Sequence, residues 1–92
     1  GAVLLWPPNV SAANEPSLSA QASIRLHRAA PRSSLTIDLT QVRFIDSTGV
    51  GLMLRIRREA QRLEIPMTYI SESDTVREVL SSLNLHDYLL RS

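Results

Sequence analysis

The sequence predicts a single small α/β domain in which helices pack on a mixed, mostly parallel β-sheet. Short apolar or alternating runs take turns along the chain with segments of helical period, and strand–helix–strand order demands crossover connections, which favour parallel pairing. With 92 residues the chain has one core, burying roughly 60–65% of its extended-chain surface, and too little material for a second. No internal repeat, low-complexity tract or linker divides it, so residues 1–92 form one domain. A Gly at position 1 in place of Met implies a domain excised or truncated from a longer chain.

The elements follow in order. Ala2 to Trp6 is a short continuous apolar run stopped by Pro7-Pro8, which suits a buried strand. Asn9 to Glu15 is a polar connection. Asn14-Glu15-Pro16 carries the cap and early-proline signature of a helix start, and Leu18, Ala22, Leu26 and Ala29 share one face before Pro31 ends the element. Leu35 to Leu39 alternates with Thr36 and Asp38 and predicts a strand; Val42, Phe44 and Ile45 carry the chain along the sheet end. From Ser47 to about Glu64 the pattern is helical, with Gly49, Leu52, Met53, Ile56, Ala60 and Leu63 converging on one face. Ile65 to Ile70 predicts a strand with Pro66 at its entry, where no ladder N–H is lost. Ser71 to Asp74 supplies cap residues for a helix carrying Val76, Val79, Leu80 and Leu83 on one face and stopping at Asn84. Tyr88-Leu89-Leu90 predicts a last short strand.

Composition removes several function classes. Net charge is +1 with the charges interspersed, so no polybasic arm or acidic tail points to nucleic acid or an anionic membrane. All ten basic residues are Arg. The absence of Cys removes disulfides and thiolate metal sites and accords with a reducing cytoplasm. No apolar run approaches the ~20 residues needed to span a bilayer, and Gly1 to Trp6 lacks the basic flank and length of a signal peptide. The expectation is a cytoplasmic chain with no direct membrane insertion.

The most informative segment is Phe44-Ile45-Asp46-Ser47-Thr48-Gly49, an apolar strand end running straight into a helix. A hydroxyl on the first helical turn sits beside unpaired backbone N–H groups and the positive end of the helix dipole, where a phosphate is stabilised. Asp46 or Ser47 could equally be plain N-caps. In a parallel sheet, binding sites lie at the carboxyl ends of strands, which is where Asp46 and Ser47 stand. On the helix that follows, Arg55, Arg58 and Arg62 form a solvated stripe, while Val50, Leu54, Arg57 and Gln61 form a second stripe away from the core face. Val50 and Leu54, apolar residues expected to point outward within two turns of Ser47, together with Arg57 mark a partner-binding face.

Other constellations fail. His27 and His86 lack ligand-spaced Cys, Asp or Glu and read as surface or boundary side chains. A Ser47 nucleophile would need a base and an orienting partner; the GxSxG elbow, GxGxxG and the P-loop are all absent, so no enzyme is predicted. The Asn9-Val10-Ser11 sequon matters only in a secreted chain. A phosphoacceptor receiver domain needs clustered carboxylates and a late Lys, whereas this chain has isolated Asp38 and Asp46 and no Lys.

The stretch Leu35-Thr36-Ile37-Asp38-Leu39-Thr40-Gln41-Val42-Arg43-Phe44-Ile45-Asp46-Ser47-Thr48-Gly49-Val50-Gly51-Leu52 resembles the core of the STAS domain family, which includes sulfate transporter domains and bacterial anti-sigma factor antagonists, and the resemblance continues from Ile65 to Leu90. It implies a STAS-like fold and a phosphorylation-controlled binding module in signal transduction and transcription regulation. In the antagonists the hydroxyl directly after the Asp of D-S-[ST]-G is phosphorylated by a partner serine kinase that is itself the anti-sigma factor; that position is Ser47. The unphosphorylated antagonist binds the kinase and frees the sigma factor, and the phosphorylated form lets go. The resemblance implies that Asp46 flanks the phosphosite, that Asp38 is the acidic residue of the preceding strand, and that Thr48 and Gly49 complete the motif. ATP and Mg²⁺ come with the kinase, so the domain itself holds no cofactor. STAS domains also serve as constitutive docking modules of anion transporters, lipid-transporting ABC complexes and larger signalling or biosynthetic proteins, which is the alternative reading. Family members commonly begin with one more strand, carry a Gly-x-Leu-Asp-like turn after the next and end with a further helix; here Trp6-Pro7-Pro8-Asn9 stands at the turn and the sequence given ends at Ser92.

Overall fold

A computed structural model describes residues 2–29 and 32–90. Three strands, β1 (Ala2–Leu5), β3 (Leu35–Asp38) and β5 (Met67–Ile70), form a parallel sheet in the order β1-β3-β5. Two shorter strands, β2 (Asn9–Val10) and β4 (Phe44–Ile45), form a second parallel pair beyond the ends of β1 and β3. The helices are α1 (Glu15–His27), α2 (Ser47–Arg62), α3 (Asp74–Ser82) and α4 (His86–Leu90). Among the described residues every ladder is parallel, as crossover connections require.

The register explains which face is covered. Leu4, Ile37 and Tyr69 stand in one row and Ala2, Leu35 and Met67 in another, and apart from half-buried Ala2 all are buried. The intervening rows, Val3-Thr36-Thr68 and Leu5-Asp38-Ile70, point to the other face, where Val3, Leu5 and Ile70 are exposed. Successive right-handed crossovers that move in one direction place their helices on the same face, so α1 and α2 lie side by side over the buried rows. Ion pairs Arg55–Glu15 and His27–Glu59, the latter at 3.4 Å, join the two helices near both ends of their contact.

Helix boundaries follow local chemistry. Asn14 is the N-cap of α1 through its carbonyl, which accepts from the Leu18 amide at 3.1 Å. Its side chain turns back instead, accepting from the Ser11 amide at 3.0 Å and donating to the Asn9 carbonyl at 2.6 Å, so it braces the loop after β2. The helix ends at His27; Pro31, the expected stop, lies outside the described residues. Ser73 caps α3 by accepting from the Val76 amide at 3.3 Å. Asn84, with φ 58°, takes the left-handed conformation that ends the α3 segment.

Three expectations are corrected here. The polar connection Asn9–Glu15 begins with a strand: Val10 is fully buried and pairs with Ile45. Leu83 was expected on the core face of the third helix and is exposed at its C-cap, one residue before the chain turns away. Tyr88-Leu89-Leu90 is helical. The Leu89 amide donates to the Leu85 carbonyl at 3.0 Å, and this four-residue spacing puts buried Leu89 and half-buried Leu85 on one face, a pattern that a three-residue apolar run does not reveal.

Candidate functional site

The site is the junction of β4 and α2. Ile45 is buried and held opposite Val10, and the next residue, Asp46, leaves the strand with extended dihedrals, φ −107° and ψ −174°. Its amide donates to the Val10 carbonyl at 3.3 Å, its own carbonyl accepts from Val50 N–H at 3.0 Å, and its carboxylate Oδ1 accepts from Gly49 N–H at 2.9 Å. Asp46 is therefore the N-cap, and the plain-cap alternative falls on it rather than on Ser47. With Gly49 and Val50 amides satisfied, those of Ser47 and Thr48 are left without a protein acceptor among the described residues. Ser47 is exposed as the first residue of α2, whereas Thr48 is half-buried.

Gly49 is required by packing. A Cβ there would lie 2.5 Å from the Val10 carbonyl oxygen, 2.8 Å from Ile45 Cγ1 and 2.9 Å from Val10 Cγ1. The absence of that atom lets the first turn of α2 press onto the β2–β4 pair, which fixes where Ser47 emerges.

Asp38, at the end of β3, does not join this junction by any hydrogen bond among the described residues. Its Oδ1 accepts from the Thr40 hydroxyl and from the Thr40 amide, the latter at 2.9 Å. The Thr40 hydroxyl, then its amide, hold the Asp38 carboxyl below the usual carboxylate range. Asp38 shapes the turn after β3.

The expected partner stripe is corrected. Val50 is only 4% exposed and belongs to the core, and Leu54 is half-buried against it. Arg57 is half-buried too: Nη1 donates to the Met67 carbonyl at 2.7 Å, Nη2 to the Leu89 carbonyl at 2.6 Å, and the guanidinium lies 5.8 Å from the centre of the Tyr69 ring. The reason is geometric. Val50, Leu54 and Arg57 share a flank of α2 at three- and four-residue spacing, and at Arg57 that flank meets β5 and α4. With Val50 buried and Leu54 and Arg57 half-buried, the buried arc of α2 is wider than a helix lying on a sheet alone would have.

The pairing of Trp6 with Tyr69 and the exposure of Phe44 were not read from the sequence. Trp6 is fully buried just after β1, edge-on to Tyr69 at 5.9 Å, and Tyr69 donates its hydroxyl to the Met53 carbonyl at 2.9 Å. Burial pushes the Tyr69 phenol well up, with Arg57 opposing slightly. Phe44, three residues before Ser47, is 50% exposed. Its outward position has no periodic signal, because Arg43 and Phe44 are both exposed between buried Val42 and Ile45. Among the described residues no group of three or more His, Asp or Glu is placed to hold a metal ion.

A family model described as "Mlab, STAS domain" matches residues 9–91. The chain belongs to the STAS domain family. Among solved structures it is similar to the anti-sigma factor antagonist SpoIIAA in its unphosphorylated form, with a TM-score of 0.77 and 23% identity over 96% of this chain and 76% of that one. That likeness establishes the fold: parallel strands with helices packed on them in one domain. No curated protein matches the chain.

Proposed function

We propose that this domain is a protein-binding module switched by phosphorylation of Ser47, in the manner of an anti-sigma factor antagonist. In this reading the unphosphorylated domain binds a kinase that doubles as the anti-sigma factor, in the cytoplasm, and the kinase brings ATP and Mg²⁺. The observation that carries it is the exposed Ser47 hydroxyl at the first position of α2, freed from capping because Asp46 does that work, with half-buried Thr48 less accessible beside it. A phosphate there carries about −1.5 to −2 charges and meets a helix end worth ~0.3–1 kcal/mol, so the helix keeps its fold. Its effect is at the interface. Burying a dianion against a partner without matching cations costs several kcal/mol, and ~2.7 kcal/mol already weakens binding about a hundredfold. Asp46 supports the same outcome by adding negative charge next to it.

The test uses the cognate kinase. Mass spectrometry of the reaction product is expected to place phosphate on Ser47; phosphate on Thr48, elsewhere or nowhere would overturn the assignment. Calorimetry is expected to show Ser47→Ala binding persistently and Ser47→Asp binding at least tenfold more weakly, both folded. A constitutive docking module of a transporter or host protein is the second reading, favoured by the description of the matching family model, which names Mlab and no sigma-factor antagonist. Equal binding of the parent and Ser47→Asp would decide for it.

A further inference from the structure

The charges are interspersed along the sequence, yet the fold sorts them. In a parallel domain the crossover helices start at the end where strands finish and stop at the end where strands begin. Acidic residues suit helix starts and basic residues suit helix ends, so the two signs separate in space. Glu15, Asp46 and Asp74 stand at or beside the starts of α1, α2 and α3, whereas Arg25 and His27 lie in the last turn of α1 and Arg62 in that of α2. Arg28 caps α1 and Arg32 follows it towards β3.

At this basic end, Glu59 is occupied by Arg62 and lies 3.4 Å from His27. Arg25, Arg28 and Arg32 are exposed and have no carboxylate partner among the described residues, with Glu64 as the remaining acid nearby. The surface between them mixes aliphatic side chains with polar Gln21, Ser33 and Ser34. An open depression of about 780 Å³ is floored by buried Leu4 and Leu35 and half-buried Ile65, and carries Ile24, Arg25 and Arg28 on its rim. Ile24 is 50% exposed beside Arg25 and one turn before Arg28. A second depression, containing Arg32, shares Ala29, Ser33 and Ile65 with the first.

We infer that this end seats the domain on an anionic lipid surface. Unpaired cations on long flexible stems, with Ile24 exposed among them, match a layer of phosphate headgroups over glycerol and acyl carbons. Single-stranded nucleic acid fits less well, because stacking platforms are missing: Trp6 and Tyr69 are buried, and Phe44 and Tyr88 belong to β4 and α4. Seating would orient the site. The 16 residues of α2 span about 24 Å, so Ser47 would face away from the lipid, open to a protein partner.

Co-sedimentation with vesicles tests this directly. The chain is expected to partition onto phosphatidylglycerol–phosphatidylcholine vesicles and not onto phosphatidylcholine alone, and to detach in about 1 M salt. Each surface Arg contributes about fivefold, so Arg25→Gln/Arg28→Gln should lower partitioning about thirtyfold. Arg43→Gln/Arg77→Gln, the same charge loss at the opposite end of the domain, should lower it less than threefold, with thermal melts showing both variants folded. Ile24→Ser should weaken vesicle binding without changing retention on an anion-exchange resin's opposite, a cation-exchange column. Equal losses in the two double variants, no binding to phosphatidylglycerol vesicles, or tighter binding to a poly-uridine oligonucleotide or to polyglutamate than to vesicles would overturn the inference.

Discussion

Gly49 and Gly51 are two residues apart on the same helix, and the same substitution should act on them with opposite signs. Alanine in a helix interior is favoured over glycine by up to ~1 kcal/mol. At Gly51 nothing lies within 4 Å of an added Cβ, so Gly51→Ala should realise most of that gain. At Gly49 the added Cβ would stand 2.5 Å from the Val10 carbonyl oxygen, a backbone atom that also accepts from the Asp46 amide at 3.3 Å. It cannot swing aside as a side chain would. Relief requires α2 to lift from β2 or the β2–β4 pair to shift, and overpacking of this kind costs ~1–3 kcal/mol, with a backbone obstacle placing it in the upper half. Net of helix propensity, Gly49→Ala should lose ~1–2 kcal/mol and Gly51→Ala should gain ~0.5–1 kcal/mol. In a domain of this size each kcal/mol moves Tm by about 4–8 °C, so the two melting curves should fall on opposite sides of the parent. Thermal circular dichroism of the three proteins is sufficient. A Gly49→Ala protein as stable as the parent would refute the close approach of α2 to β2, and with it the account of how Ser47 is positioned.

Two further outcomes follow from burial. Val50→Ser removes a buried aliphatic side chain worth ~1.5–3 kcal/mol and leaves a hydroxyl in the core, so Tm should fall by more than 10 °C, whereas Leu54→Ser at a half-buried position should cost less; an unchanged Val50→Ser melt would restore the outward reading of that flank. Tyr69 keeps its proton in the folded state because burial raises its phenol, while in the unfolded chain it ionises near ~10; above that pH the unfolded state binds fewer protons, so stability falls as pH rises, by up to ~1.4 kcal/mol per unit. Tyr69→Phe should lose ~1 kcal/mol at neutral pH with its bond to the Met53 carbonyl, yet show a shallower alkaline decline in urea titrations; an unchanged decline would refute the assignment.

What could be read from the chain divides by distance along it. The start of α2 was legible because its determinants are neighbours: Asp46 caps Gly49 three residues on, and the helical period begins at once. The strands of the main sheet and the first three helices were legible for the same reason, through period and punctuation. Strand β2 was not, since two residues make no period and its partner lies 35 residues away at Phe44 and Ile45. The fate of Arg57 was not, since a helical wheel built on a sheet-facing arc omits α4, whose carbonyl at Leu89 meets Arg57 across 32 residues.

The Arg57 contacts show why a charged residue on that flank misled. Read on α2 alone, Arg57 extends a polar stripe and promises solvent. In the fold its two terminal nitrogens are bound to carbonyls of β5 and α4, and its guanidinium lies 5.8 Å from the centre of a buried phenol ring. A planar cation with several fixed donors can serve carbonyls on two different elements at once, which an apolar residue cannot. The chain thus uses Arg57 as a tie between α2 and its C-terminal helix, and the cost of leaving those carbonyls without donors is what holds the side chain inward. With that flank turned inward, the exposed apolar side chain next to Ser47 in sequence is Phe44 on β4, on the strand side of the junction, and an interface at this site would have to be built on it and not on the helix flank.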